Sequence, residues 1–336
     1  MGWHFIGFDI DGSIDSQEIV RERLDRIVDL RSQERDLRLW ASSNAIRKLK
    51  RTLRDLRVQR NALGHDRWLS FIGSGDYHHI TSLLLESLPD HLRPVNLVLI
   101  DNHPDWTNLP PAYHCGNWVS TTLKLPWIDS VVMVGQDSED LNAGNLLFAP
   151  FEYLNLARLR LYPYEREHLF TALRWPRQVR AAVDIEHARG GTKMFFNTIR
   201  KSGIEKIASE IACRLAGQNV YLSIDKDALS TDYALTDWDQ GRLTLSEITY
   251  LLQKLAASCN LIGADVCGET APRPLTGPLK RFDSGRLWNE QRHDFTAANA
   301  LNQNTNMRLF DAFKRAIAVG ASASAATGQG HLQAVN

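Results

Sequence analysis

Short runs of uninterrupted apolar residues, separated by stretches of helical periodicity, constrain this chain more than any other feature. Trp68–Ile72 (WLSFI), Val95–Ile100 (VNLVLI), Ser130–Gly135 (SVVMVG), Val220–Ile224 (VYLSI) and Leu261–Val266 (LIGADV) are apolar almost throughout rather than alternating. Val179–Ile185 (VRAAVDI) is a weaker sixth. Strands of this kind are buried on both faces, as in a parallel sheet covered by helices. The segments between them read as helices. In 17–61, Ile46, Leu49, Leu53 and Leu56 recur at helical spacing. Residues 203–216 and 245–258 are also helical by period, the second starting after Thr244 with Ser246 and Glu247. Strand–helix–strand alternation predicts an α/β sheet with right-handed crossovers. Residues 270–290 read as loop, and 320–336, rich in Ala, Ser and Gly, as a disordered tail. The expectation is one domain over 1–319, with 1–62 as a helical N-terminal region.

Composition narrows the function. The 336 residues carry 39 Lys+Arg and 39 Asp+Glu, a formal net charge of zero. Such a balance supplies no global attraction to nucleic acid or to an anionic membrane. The cations of Arg47–Arg60 read as the solvated face of an amphipathic helix. Cys115, Cys213, Cys259 and Cys267 show no Cys-x-x-Cys spacing, so neither a zinc ribbon nor a secreted disulfide framework is expected. Cys267 reads as a buried strand residue, and Cys115 as a loop thiol whose one visible base partner is His114. No apolar run approaches the roughly 20 residues of a spanning helix. The first residues lack the basic and apolar regions of a signal peptide, and Ile6 stands where a myristoylation motif has Ser or Thr. The expectation is a cytoplasmic protein acting on a small molecule, with no nucleic-acid or membrane partner.

The chemistry sits where three strands end. Ligands in open α/β sheets bind at the carboxyl ends of strands, so clusters far apart in sequence can converge there. After Val95–Ile100 comes Asp101-Asn-His103-Pro-Asp105-Trp. Alternate positions leaving a strand project to one side, and two carboxylates with an imidazole then call for a cation between them. The plain alternative is a polar loop with Asx-turns. After Val220–Ile224 comes Asp225-Lys-Asp227, two carboxylates on one face with Lys226 opposed. Burying that pair needs compensation, from a metal or from Lys226, unless the pair itself serves as a metal-free acid and base. After Trp68–Ile72 comes Gly73-Ser-Gly-Asp76-Tyr-His78-His79, where one imidazole can complete a metal site. Four carboxylates and two or three imidazoles suit Mn²⁺, and also Co, Ni, Fe or Zn. They exceed what one ion needs, and two ions sharing carboxylates and a hydroxide is the economical arrangement. Trp106, Trp118 and Trp238 lie near the motifs and can wall a pocket or pack the core.

The ordered set resembles the ureohydrolase family of arginase, agmatinase and their relatives. Gly75–His79 is similar to that family's Gly-Gly-Asp-His turn. Asp101–Asp105 matches its Asp-x-His-x-Asp motif, and Ser223–Asp227 its Ser-x-Asp-x-Asp motif. Gly263–Glu269 resembles the strand that ends in an acid near the substrate, and the likeness spans residues 68–272. The resemblance implies a three-layer α/β/α fold around an eight-stranded, mainly parallel sheet. It implies a dinuclear manganese centre held by His78, Asp101, His103, Asp105, Asp225 and Asp227, with His79 as the alternative to His78 and with Asp101 and Asp225 as bridges. The implied activity is hydrolysis of a guanidino C–N bond by a hydroxide between the ions. Asp105, His114 and Glu269 would be catalytic, and Asn117 and Glu269 would bind substrate. Relatives often form homo-oligomers.

The sequence also departs from the family. Tyr77 separates Asp76 from the histidines, Asp227 is followed by Ala228 rather than Pro, and Val119 stands where arginases carry an acid–base His. Cys115-Gly116-Asn117 resembles the arginase Ser-Gly-Asn, with His114 nearby. Residues 1–62 have no clear counterpart. Two other readings stay open: a histone-deacetylase-like amide hydrolase, which has paired histidines before Asp-x-His, and a metal-binding member of the fold without catalysis.

Overall fold

The five strong apolar runs all form strands, and the chain threads them into one sheet. The computed structural model describes residues 2–61, 64, 66–172, 183–286 and 293–332. The strands are β1 (Trp3–Asp9), β2 (Arg26–Asp29), β3 (Arg67–Ser74), β4 (Val95–Ile100), β5 (Ile128–Val134), β6 (Leu159–Tyr162), β7 (His168–Thr171), β8 (Asp184–Ala188), β9 (Gly191–Phe195), β10 (Asn219–Asp225) and β11 (Asn260–Glu269). Eight of them lie in the order β2-β1-β3-β11-β10-β4-β5-β6, and every pairing in that sheet is parallel. A separate antiparallel sheet has the order β7-β9-β8.

The helices are α1 (Glu18–Arg23), α2 (Glu34–Leu37), α3 (Ser43–Asn61), α4 (Ile80–Glu86), α5 (Trp118–Leu123), α6 (Phe151–Asn155), α7 (Ile199–Ser202), α8 (Ile204–Arg214), α9 (Leu245–Ser258), α10 (Pro278–Asp283) and α11 (Phe295–Leu332). They cover both faces. Leu97 and Leu99 of β4 join a core with Leu49 and Leu53 of α3, Leu84 of α4 and Trp118 of α5. Val98 and Ile100 join the opposite core, with Ile207 and Ile211 of α8, Leu252 of α9 and Phe313 of α11. Successive residues of one strand thus feed two cores, which is why the strands carry no polar alternation. Helix α9 opens with a capping box, the Thr244 hydroxyl accepting from Glu247 N–H and the Glu247 carboxylate accepting from Thr244 N–H. The expected three-layer α/β/α fold with an eight-stranded parallel sheet is therefore what forms.

Four local expectations need correction. Residues 1–62 are not all helical, because β1 and β2 form the edge of the sheet. Strand β2 is four residues flanked by charge, and it is held by pairing with β1 rather than by local preference. Strand β6, also four residues, carries no distinct apolar run. Of the run Val179–Ile185, residues 179–182 fall outside the described residues, and Asp184 and Ile185 begin the largely exposed β8 of the small sheet. The loop 270–290 contains α10, started by Pro278 at its first position. Of the expected tail 320–336, residues 320–332 continue α11 and 333–336 fall outside the described residues.

Candidate metal centre

Four adjacent strands, β3, β11, β10 and β4, end at one place, and the acidic and histidine clusters leave from three of them. Beyond β4, Asp101 Oδ1 accepts the His103 N–H at 2.7 Å, and the Asn102 N–H donates to Asp227 Oδ1 at 3.1 Å. Asp105 takes a left-handed φ of 43°, and its Oδ2 accepts the Trp118 indole N–H at 2.7 Å. At the end of β10, Asp225 caps the following 3-10 turn, its Oδ1 accepting the Asp227 N–H at 2.9 Å. Gly268, at φ 86°, lies so close that a Cβ would collide with Asp225 Oδ1. Beyond β3, the turn Gly75–Tyr77 delivers His78.

The side chains converge as two overlapping sets. His78 Nδ1 lies 3.1 Å from Asp101 Oδ2, 3.3 Å from Asp225 Oδ2 and 3.5 Å from Asp105 Oδ2. His103 Nδ1 lies 2.8 Å from Asp227 Oδ2 and 3.9 Å from Asp101 Oδ1. Asp101 thus turns one oxygen to each histidine. His78, Asp101 and Asp105 form one metal-capable group, and Asp101, His103 and Asp227 another. Of the two bridging candidates, Asp101 spans both groups, while Asp225 has Oδ1 engaged by the Asp227 N–H and Oδ2 beside His78.

The residues fit a cation. His78 Nδ1 and Asp101 Oδ2 are buried and neither makes a hydrogen bond. The other His78 nitrogen, Nε2, is 2.9 Å from Ser223 Oγ, whose hydroxyl donates to Asp265 Oδ1 at 2.7 Å. With Ser223 donating to Asp265, its oxygen can accept from Nε2, which leaves Nδ1 as the ring nitrogen that faces the cluster. Burial, then the charges of Asp227 and Asp105, push the Asp101 carboxyl well above the usual carboxylate range. Burial and Asp227 push Asp225 up to about 6. Carboxylates so crowded need positive charge among them to remain ionised. His79 takes no part: it is fully buried, neither ring nitrogen is bonded, and burial pushes its pKa down to about 3. Asp76 is spent on structure, its Oδ2 accepting from Arg38 at 2.8 Å and Arg286 at 2.9 Å, and its Oδ1 from the Trp238 indole at 3.1 Å.

The cluster floors a cavity of about 260 Å³ whose lining includes Trp106, Trp238, His114, Asn117, Asp140 and Asp283. His114 Nδ1 accepts the Gly116 N–H at 2.8 Å, and its Nε2 donates to Asp283 Oδ2 at 2.6 Å. Cys115 is buried, and burial pushes its thiol well up, so the reactive-thiol reading is not supported. Asn117 is expected to bind substrate, but its amide is used within the loop. Its Nδ2 donates to the carbonyls of Leu109 and Pro111, and its Oδ1 accepts the His114 N–H. Its place is to fix the loop.

Glu269 also needs correction. It is buried and absent from the cavity wall, and it pairs with Lys226 while accepting from Gln17 Nε2 and Asn306 Nδ2. A carboxylate with three buried donors has no free oxygen for a substrate. Asp140 and Asp283 are the cavity acids that sequence reasoning missed. Asp283 lies on α10, in a region read as loop, and neither residue sits in a motif. Ser223 had a signal, as the first residue of Ser-x-Asp-x-Asp.

A parallel sheet in this strand order, with paired His/Asp groups that could hold metal at its carboxyl edge, defines an α/β protein of the arginase-like fold. Residues 47–274 match the profile of the arginase family, and the chain belongs to that family. A Thermotoga maritima protein of uncharacterized function is 26% identical over 204 residues, a match that covers 61% of this chain and 59% of that protein's length. The fold is similar to three solved structures. Proclavaminate amidino hydrolase from Streptomyces clavuligerus has a TM-score of 0.54 at 16% identity, over 91% of this chain and 92% of that one. Arginase from Bacillus caldovelox has 0.52 at 16%, over 91% and 98%. Formimidoylglutamase from Bacillus subtilis has 0.54 at 13%, over 92% and 87%.

Proposed function

We propose that this chain is a metal-dependent hydrolase that cleaves a C–N bond in a small guanidino- or amidine-type molecule. The observation that carries the reading is the pair of His/Asp groups sharing Asp101 on the floor of the cavity. His78, Asp101, Asp105 and Asp225 would hold one divalent cation, and Asp101, His103 and Asp227 the other, with Mn²⁺ favoured and Ni, Co, Fe or Zn compatible. Such a pair of ions supplies a nucleophile from water near neutral pH and polarises the group under attack. The chain supplies the rest. Trp106 is buried against the floor, and the Trp238 ring sits 5.7 Å from that of His103, so the metal ligands are walled by indoles. Asp140, exposed on the wall, is placed to pair with a guanidinium, the role that Glu269 cannot fill. The His114–Asp283 pair lies on the cavity wall, and a further proton that the pair takes up from solvent can pass to a departing amine. A single-ion deacetylase built on Asp-x-His has no use for the second group, around His78 and Asp105, and this favours the two-ion reading.

The test is turnover by Mn²⁺-loaded protein on a panel of arginine, agmatine, guanidino acids, free guanidine and a formimino amino acid, read as urea, ammonia or formamide. Turnover of one compound, lost in His103→Ala, is the expected result. Absence of turnover on the whole panel by fully loaded protein would overturn the hydrolase reading.

A further inference from the structure

Cys267 is the buried residue of β11 that the sequence predicts, and its thiol also reaches the His/Asp cluster. We propose that Cys267 is a sulfur ligand of the metal centre, beside His78 and Asp225, and that it shifts that position's preference from Mn²⁺ toward Zn²⁺ and Co²⁺. The inference rests on the two-ion reading above.

Strand β11 runs between β3 and β10, and Cys267 stands opposite Asp225 in the register. The pairing of β11 with β3 shifts register on both sides of Cys267, and Gly268 follows at φ 86°. A bulge of this kind re-aims a side chain, and here the thiol faces the ligands. Its Sγ lies 3.0 Å from Asp225 Oδ2 and donates to it. His78 Nδ1 lies 3.3 Å from the same Asp225 Oδ2, and Cys267, Asp225 and His78 each offer one ligand atom within 4.8 Å of the others. All three residues are buried, and His78 Nδ1 has no hydrogen-bond partner. An ion bonded to sulfur at about 2.3 Å and to nitrogen or oxygen at about 2.0–2.2 Å brings its donors to separations of this size. On coordination the S–H bond breaks, the proton leaves to solvent, and a sulfur lone pair forms the bond to the ion. Thiolate is a soft ligand and disfavours Mn²⁺ relative to Zn²⁺ or Co²⁺, whereas the His103 group offers only imidazole and carboxylate. The two positions therefore differ in metal preference.

The experiment loads wild type, Cys267→Ser, Cys267→Ala and Cys115→Ser with Co²⁺, and records absorption and cobalt content. The inference expects a sulfur-to-cobalt charge-transfer band in the near ultraviolet for wild type and Cys115→Ser. The band is lost in both Cys267 variants, which keep the visible cobalt bands and gain preference for Mn²⁺ over Zn²⁺ in competition. Cobalt bound to wild type with no charge-transfer band would overturn the inference and leave the two-ion centre standing. So would a band that disappears in Cys115→Ser. Failure of wild type to bind cobalt at all would overturn both. If the Cys267 variants do not fold, the wild-type and Cys115→Ser spectra still decide.

Discussion

Asp101 is where the electrostatics of the site converge. Each of its oxygens faces a different histidine, and burial, then the surrounding acids, push its carboxyl above the usual range. The groups behind the ligands matter at the same scale. Ser223→Ala removes the acceptor from His78 Nε2 and leaves Asp265 short of a donor. Loss of such a support weakens metal binding by about 10–100-fold, so the variant should bind Mn²⁺ more weakly in a titration with little change in secondary structure. Asp76 answers to stability instead. Burial opposes its charge, but Arg286 and Arg38 overcome that and hold its carboxyl well below the usual range. A depressed carboxyl stabilises the fold at pH above its unfolded value of about 3.9, and the contribution is lost as pH falls through the folded value. Asp76→Ala leaves two buried guanidinium groups without their counter-charge and should cost about 3–5 kcal/mol in denaturant unfolding at pH 7.

The Lys226–Glu269 pair ties the turn after β10 to the end of β11, with Gln17 and Asn306 bonding to the same carboxylate. Lys226 sits between two proposed metal ligands, so this pair fixes where they project. Glu269→Ala should lower unfolding free energy by about 3–5 kcal/mol, because the lysine is left buried and unpaired. A substrate-binding role would show instead as a raised KM at unchanged stability. The segment between β10 and α9 carries a second device, Asp237, pushed up to about 6 by burial and then by Asp76. Its folded pKa exceeds the unfolded value, so the native state holds the extra proton and stability falls as pH rises from about 4 through about 6. Asp237→Asn keeps the acceptor for the Ala271 N–H and should remove a slope of up to about 1.4 kcal/mol per pH unit in that window. Legibility follows the same lines. Strands β3, β4, β5, β10 and β11 are buried on both faces, so their sequences are apolar without interruption, and they could be read. Strands β1, β2 and β6 depend on pairing with distant neighbours, which a local window does not contain. The ligand clusters were legible because each is one contiguous motif at a strand end. Glu269 was misread because whether a strand-end acid faces the cavity or a buried lysine depends on the bulge before it.

At the scale of the whole molecule, a neutral chain builds its eight-stranded sheet with two apolar faces and gathers acids and histidines at one edge. Among the described residues no helix is long and apolar enough to cross a membrane. The short loops Asp101–Asp105 and Asp225–Asp227 can carry buried charge because the parallel sheet behind them is rigid, and the sheet tolerates that charge only with compensation. Under the proposed two-ion reading, metal would belong to the fold as much as to the chemistry, and the shared carboxylate would make the two positions interdependent. The direct test is metal content per chain after reconstitution with Mn²⁺, for wild type and Asp101→Ala, by elemental mass spectrometry. About two ions in wild type, with loss from both positions in Asp101→Ala, is the predicted result. Wild-type protein without bound transition metal, or a variant with the same content as wild type, would contradict the account.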